Sequence, residues 1–113
     1  NTPLWIVRAG SDKVDEIKAD KQPIGQFDFR KPFTNHTFEM NEGDCIYLLS
    51  DGYADQFGGP DGKKFKYKTL RDMLLSIHNM GMDEQIKILS DEFDKWKGDY
   101  EQIDDVCIIG IKI

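Results

Sequence analysis

Runs of apolar residues divide the chain into strand-like segments. Residues 4–8 form a β-rich run that ends at a turn signal, and a short second strand after that turn would complete a hairpin. Residues 45–49 are continuously apolar, which is typical of a strand covered on both faces, so we place them centrally in a sheet. Residues 106–113 form a second, almost continuously apolar strand. A further strand is predicted at residues 37–40, after a loop that contains proline and glycine at residues 21–25.

Two segments before the last strand have the period of helices. In the first, Thr69 is a candidate N-cap, and the apolar residues recur at the spacing of one helix face: Leu70, Met73, Leu74 and Ile77. A second helix is predicted over residues 83–97, ended by Gly98, with an apolar face made of Ile86, Leu89, Phe93 and Trp96. Strands, two adjacent helices and a last strand predict an α+β fold, with both helices packed on a mostly antiparallel sheet.

Composition limits the class of protein. The 113 residues suit one domain, and 39% hydrophobic with 32% charged residues is an ordinary globular balance. The apolar runs are far too short to span a bilayer. We therefore expect a cytoplasmic chain without direct membrane contact, although a membrane anchor elsewhere in the parent protein is compatible with it.

One local cluster of lysines interrupts an otherwise acidic chain. It is interleaved with two aromatic residues and consists of Lys63, Lys64, Lys66 and Lys68. Strands that bind RNA have this pattern, but a net charge of -6 makes the chain a poor partner for a polyanion. The cluster is better interpreted as a solvated loop, and we expect no nucleic-acid partner.

Cysteine and histidine show no metal-binding spacing. Cys45 and Cys107 both fall inside apolar runs, so we predict that they are small core residues of a reducing compartment. His36 and His78 have no ligand-spaced neighbour, which indicates structural or exposed side chains.

Carboxylates stand at the ends of the two most apolar strands. Asp51 follows residues 45–49, and Asp104 and Asp105 precede residues 106–113. If those strands are antiparallel neighbours, Asp51 and Asp104 converge at one rim of the sheet. Carboxylates that meet there repel one another and lose hydration, and a divalent cation relieves both costs. Ligands that offer only oxygen suit Mg²⁺ or Mn²⁺.

Two neighbours extend this candidate metal site. Gly52 would let the backbone approach an ion closely, and Asp55 could add a third carboxylate. However, Asp-Gly is a very common turn dipeptide, and acidic turns are more often only solvated. Spacing alone therefore leaves both interpretations open.

Four segments, in order along the chain, resemble a known family. Residues 43–55 (GDCIYLLSDGYAD) resemble the "GD, hydrophobic strand, S/T-DG" segment of metal-dependent, type 2C-like protein phosphatases, and in particular their SpoIIE-like branch. Residues 102–109 are similar to the closing "Q-x-DD" element. Residues 1–8 are similar to the strand after the "AG-x-N-P" turn, and residues 22–25 to the "PLG" element.

The resemblance implies a catalytic domain with two stacked antiparallel sheets, a binuclear Mn²⁺ or Mg²⁺ centre, and attack on phosphorus by a metal-activated water. Asp51 and Asp104 match carboxylates that bind one metal of the pair. Asp55 matches the position of an accessory third metal, and Asp105 a neighbour of the ligands. The implied substrate is phosphoserine or phosphothreonine on a regulatory protein, such as an anti-anti-sigma-like factor.

The family's bridging aspartate has no counterpart here. We therefore expect residues 1–113 to be the C-terminal part of a single catalytic domain whose N-terminal part is absent from this sequence. This part alone should hydrolyse little, and its unpaired strand edges could support dimerisation. The alternative is a non-catalytic docking or sensor module of the same fold, in which Asp51 and Asp104 only shape turns.

Overall fold

The computed structural model describes residues 4–17 and 39–113. In chain order the elements are β1 (Leu4–Val7), β2 (Asp15–Ile17), β3 (Cys45–Leu49), β4 (Phe57–Gly58), β5 (Lys63–Lys64), α1 (Tyr67–Ile77), α2 (Met82–Lys97) and β6 (Ile108–Lys112). The loop predicted at residues 21–25, the "PLG"-like element at 22–25 and His36 lie outside the described residues. Of the strand predicted at 37–40, only Glu39 and Met40 are described, and neither is in a strand.

An antiparallel sheet in the order β2-β1-β3-β6 organises the fold. β3 pairs with β1 on one side and with β6 on the other, so the predicted central position of residues 45–49 is confirmed. The predicted hairpin of β1 and β2 is also present. β4 and β5 form a separate two-stranded ribbon, because the exposed Lys63 and Lys64 pair with residues 57–58 where the sequence suggested a loop.

Both helices pack on one face of the four-stranded sheet. Alternate residues of β1 and β3 enter a shared core with apolar residues of α1 and α2: Trp5, Val7, Cys45, Tyr47 and Leu49 meet Leu70, Leu74, Ile77, Leu89 and Phe93. The period of two in the strands and the period of 3.6 in the helices explain which residues enter this core. The α+β prediction is confirmed.

The other face of the β3–β6 half of the sheet is not covered by the described residues. Leu48 is 38% exposed, and Ile109 and Ile111 are 52% and 50% exposed. The prediction that the strand at residues 45–49 is covered on both faces is therefore not met in this part of the chain. A continuous apolar run indicates that both faces of a strand are apolar, but it does not show what packs against each face.

The prediction that Cys107 is a core residue is wrong. Cys45 is buried as expected, whereas Cys107 is exposed. Ile108 packs against the core, and successive residues of an extended chain point to opposite faces. Cys107 therefore faces away from the core.

The helices begin slightly earlier than predicted. α1 begins at Tyr67, after Lys66 with a φ of 79°, so Thr69 lies inside the helix and is not its N-cap. α2 begins at Met82 and ends at Lys97, and it is followed by the capping residue Gly98, whose φ of 51° suits glycine. Neither helix in the described part of the chain is long and apolar enough to cross a membrane.

The buried face of α2 differs by one residue from the predicted stripe. Ile86 is 64% exposed, whereas Gln85 is 1% exposed. The amide of Gln85 donates to the carbonyls of His78 (3.3 Å) and Met80 (2.9 Å), and its Oε1 accepts the Tyr47 hydroxyl proton (2.6 Å). Gln85 is buried because these partners satisfy its polar atoms at the C-terminal end of α1.

A pair of substitutions on α2 tests this register. Leu89→Ala should destabilise the fold by about 2 to 4 kcal/mol, because it opens a cavity in the core. Ile86→Ala should change the free energy of unfolding by less than about 0.5 kcal/mol, because the side chain is exposed. Urea denaturation of both variants measures the difference, and equal losses would contradict the observed register.

Candidate metal centre

Beyond the last residue pair of β3 and β6, Ser50 continues to join the two chain segments. Its backbone N–H donates to the carbonyl of Cys107 (2.9 Å), and its Oγ accepts the N–H of Cys107 (2.9 Å). The same Oγ donates to the carbonyl of Asp105 (3.0 Å). Asp51 and the Asp104–Asp105 pair therefore lie at the same edge of the sheet. We refer to residues 50–55 and 104–106 as the carboxylate rim.

Gly52 is the point of closest approach between the two segments of the rim. A Cβ at this position would lie 2.1 Å from the carbonyl oxygen of Asp105 and 3.2 Å from Cα of Val106. Because the obstructing atoms belong to the backbone, no rotamer change could relieve the contact. Glycine at position 52 thus permits the rim to close, a reason that the sequence alone did not reveal.

The carboxylate of Asp51 has a partner that no sequence pattern indicated. The hydroxyl of Tyr67 donates to Oδ1 of Asp51. Burial, together with the adjacent carboxylate, raises the pKa of the Tyr67 hydroxyl above its ordinary value, so the phenol stays protonated at neutral pH. Tyr67 lies inside the lysine cluster, and nothing in that local pattern pointed toward Asp51.

The other rim carboxylates have different surroundings. Oδ1 of Asp104 accepts the N–H of Asp105 (2.8 Å), and Oδ1 of Asp55 lies 3.7 Å from Nζ of Lys64. Within residues 4–17 and 39–113, no group of three or more His, Cys, Asp or Glu side chains is arranged to hold a metal ion. Asp51, Asp104 and Asp105 thus lie at the same edge of the sheet without forming such a group, whereas Asp55 is paired with a lysine.

A buried carboxylate lies at the opposite end of β3. Asp44 is 2% exposed, and its Oδ1 accepts the N–H of Ala9 (2.8 Å). Its Oδ2 accepts the N–H of Asn41 (2.8 Å) and is bonded to Nη1 of Arg8 (3.0 Å). The N–H groups of Asn41 and Ala9, and then the guanidinium of Arg8, hold the pKa of Asp44 below its usual range. Asp44 therefore ties the turn before β3 to the end of β1.

The arrangement of sheet and helices is shared with a phosphatase domain of known structure. The chain matches the SiaA-PP2C domain of Pseudomonas aeruginosa with a TM-score of 0.82 and 26% sequence identity, over 99% of this chain and 43% of that one. The family model for stage II sporulation protein E (SpoIIE) matches residues 1–113. The chain therefore belongs to the SpoIIE family. No curated protein matches it significantly.

At the level of the family, this membership and the match to a PP2C domain imply serine/threonine protein phosphatases. Domains of this type generally depend on Mn²⁺ or Mg²⁺. The chain spans less than half the length of the phosphatase domain that it matches. The resemblance found in the sequence is thus confirmed at the level of the family.

Substitution of Gly52 tests the close approach at the rim. Gly52→Ala should destabilise the fold by about 1 to 3 kcal/mol, because the added methyl group must displace backbone. Gly81→Ala is the matched control, since a Cβ there meets nothing within 4 Å and the φ is -61°. At this N-cap position, the poorer capping by alanine and the reduced entropy of the unfolded chain should leave the change within about 1 kcal/mol. Equal effects in thermal denaturation would contradict the geometry.

The lowered pKa of Asp44 implies that the stability of the fold depends on pH. Its folded pKa is lowered, so its contribution is present above the unfolded value of about 3.9 and is lost as the pH falls through the folded value. Asp44→Asn should therefore lower the melting temperature at neutral pH, and the gap to the wild type should narrow below about pH 4. Glu42→Gln, an exposed position in the same turn, is the control and should show no such gap. A gap for Asp44→Asn that is constant with pH would refute this role.

Proposed function

We propose that this chain contributes to a phosphatase that hydrolyses phosphoserine or phosphothreonine on a regulatory protein at a binuclear Mn²⁺ or Mg²⁺ centre. The observation that carries the proposal is the pairing of β3 with β6, which places Asp51 and Asp104 at one edge of the sheet in a member of the SpoIIE family. Either residue alone would be an ordinary acidic turn.

The donor set fits the expected ions in its chemistry. Asp51 and Asp104 offer carboxylate oxygens, which Mg²⁺ and Mn²⁺ prefer. These two residues would hold one metal, Asp55 would release Lys64 to serve an accessory ion, and Asp105 would remain a neighbour. When bound, the ions would activate a water molecule for in-line attack on phosphorus. The role of the chain is to hold the carboxylates, through Ser50 and Gly52 at the rim.

The remaining ligands would come from elsewhere in a larger domain. In support, the chain spans 43% of the phosphatase domain that it matches. The exposed isoleucines and Leu48 on the β3–β6 face also form an apolar surface that a second sheet could cover. We propose that residues 1–113 are the C-terminal part of one catalytic domain and hydrolyse little alone. Separated from the rest, this part could dimerise through its β6 edge.

The proposed partner is a phosphorylated, anti-anti-sigma-like protein rather than a nucleic acid. Family membership supports the class of substrate. Two of the four clustered lysines are engaged in ion pairs, Lys64 with Asp55 (3.7 Å) and Lys68 with Asp72 (3.1 Å). These pairs and the net charge of -6 weaken any attraction for a polyanion.

Activity measurements test the assignment of Asp51. In the complete protein that carries this sequence, Asp51→Asn should reduce Mn²⁺-dependent hydrolysis of an aryl phosphate by more than about 100-fold, since loss of an outer-shell partner alone typically costs 10- to 100-fold. Asp91→Asn, an exposed position on α2, should retain wild-type activity. Full activity of Asp51→Asn would remove the residue from the metal centre.

A second candidate is a docking or sensor module without catalysis. It is favoured by the observation that the described residues contain no cluster of three metal-binding side chains. The two functions differ in their response to Mn²⁺, because a ligand that binds only the folded state raises the melting temperature. A rise with Mn²⁺ in the complete protein that disappears in Asp104→Ala supports the phosphatase, and the absence of any rise supports the module.

A further inference from the structure

We propose that Tyr67 is a positioning residue of the metal centre, whose hydroxyl fixes one oxygen of the Asp51 carboxylate and leaves the other for the cation. The inference rests on the proposed function, because it requires Asp51 to bind a metal. It assigns a role to a tyrosine that the acidic motifs do not include.

The hydrogen bond from Tyr67 gives the two carboxylate oxygens of Asp51 different environments. The Tyr67 hydroxyl donates to Oδ1. Within residues 4–17 and 39–113, Oδ2 accepts no hydrogen bond, so it is available to a ligand at the rim. A carboxylate held in this way loses rotational freedom before the ion arrives, and outer-shell hydrogen bonds of this kind orient metal ligands in many proteins.

The ring of Tyr67 is itself held by packing. It meets the ring of Trp5 edge-on, with centroids 5.9 Å apart and an interplanar angle of 72°. Trp5 is fully buried, and its Nε1 donates to Oε1 of Glu16 (2.7 Å). The guanidinium of Arg71 lies 5.6 Å from the centroid of the Trp5 ring. A ring in contact with a fixed neighbour can place its hydroxyl reproducibly.

The backbone also ties Tyr67 to the segment that carries Asp51. The preceding residue, Lys66, has a φ of 79°, which is uncommon for a residue with a side chain. Two backbone hydrogen bonds hold it there, because its N–H donates to the carbonyl of Ala54 (2.8 Å) and its carbonyl accepts the N–H of Leu70 (3.2 Å). The N–H of Asp55 donates to the carbonyl of Asp51 (2.9 Å). The first turn of α1 and the turn after β3 thus form one bonded unit.

The variant that separates positioning from packing is Tyr67→Phe, which keeps the ring on Trp5 and removes only the hydroxyl. In the complete protein, we expect Mn²⁺ to bind about 10-fold more weakly, at the low end of the range for lost outer-shell partners. The melting temperature without metal should change little. Tyr47→Phe is the matched control, because it removes the hydroxyl that donates to Gln85, remote from the rim, and should leave Mn²⁺ affinity unchanged.

Mn²⁺ dissociation constants from calorimetry distinguish the outcomes. Weaker binding by Tyr67→Phe, with wild-type affinity in Tyr47→Phe, supports the proposal, as does activity of Tyr67→Phe that recovers at high Mn²⁺ concentration. If Tyr67→Phe binds Mn²⁺ as tightly as the wild type or more tightly, the positioning role is refuted. If Asp51→Asn loses Mn²⁺ binding in the same experiment, the proposed function still stands. If the wild type binds Mn²⁺ independently of Asp51, both the proposed function and this inference fail. If Tyr67→Phe lowers only the melting temperature, the hydrogen bond is purely structural and the positioning role is refuted.

Discussion

The antiparallel pairing of β3 with β6 is the constraint on which the rest of the candidate site depends. Five residue pairs align the two strands, and Ser50 extends the pairing with hydrogen bonds to the backbone of Cys107 and Asp105. A shift by one residue would turn every side chain of β6 to the other face and displace the two acidic segments along the strands by about 3.4 Å. The register of one strand pair therefore fixes both the core and the carboxylate rim.

The carboxylates at the two ends of β3 differ in their burial and in their partners. At the start of the strand, Asp44 is buried, and two backbone N–H groups and Arg8 compensate its charge. At the other end, Asp104 and Asp105 are exposed, and Asp51 has Tyr67 as its side-chain partner. A buried carboxylate whose charge is already compensated by such partners binds a cation only weakly. The carboxylates of the rim would therefore stabilise a bound divalent ion more than Asp44 would.

The sequence predicted those features that depend on local pattern. The helices, the central strand and the position of Asp51 and Asp104 at one edge of the sheet followed from periodicity and from the position of polar residues at strand ends. It did not predict Gln85 in the core or Ile86 on the surface, because burial of an amide depends on carbonyls at the end of another helix. Nor did it predict the bond between Tyr67 and Asp51, since their contact depends on how α1 meets the turn after β3. Tertiary partners of this kind leave no periodic signal along the chain.

Anomalous diffraction from crystals of the complete protein grown with Mn²⁺ tests the central claim most directly. Our account predicts a manganese peak within coordination distance of carboxylate oxygens from both Asp51 and Asp104, about 2.0 to 2.2 Å as is usual for small hard divalent ions. A fully occupied manganese site elsewhere, with these two carboxylates bonded only to protein or solvent, would contradict it.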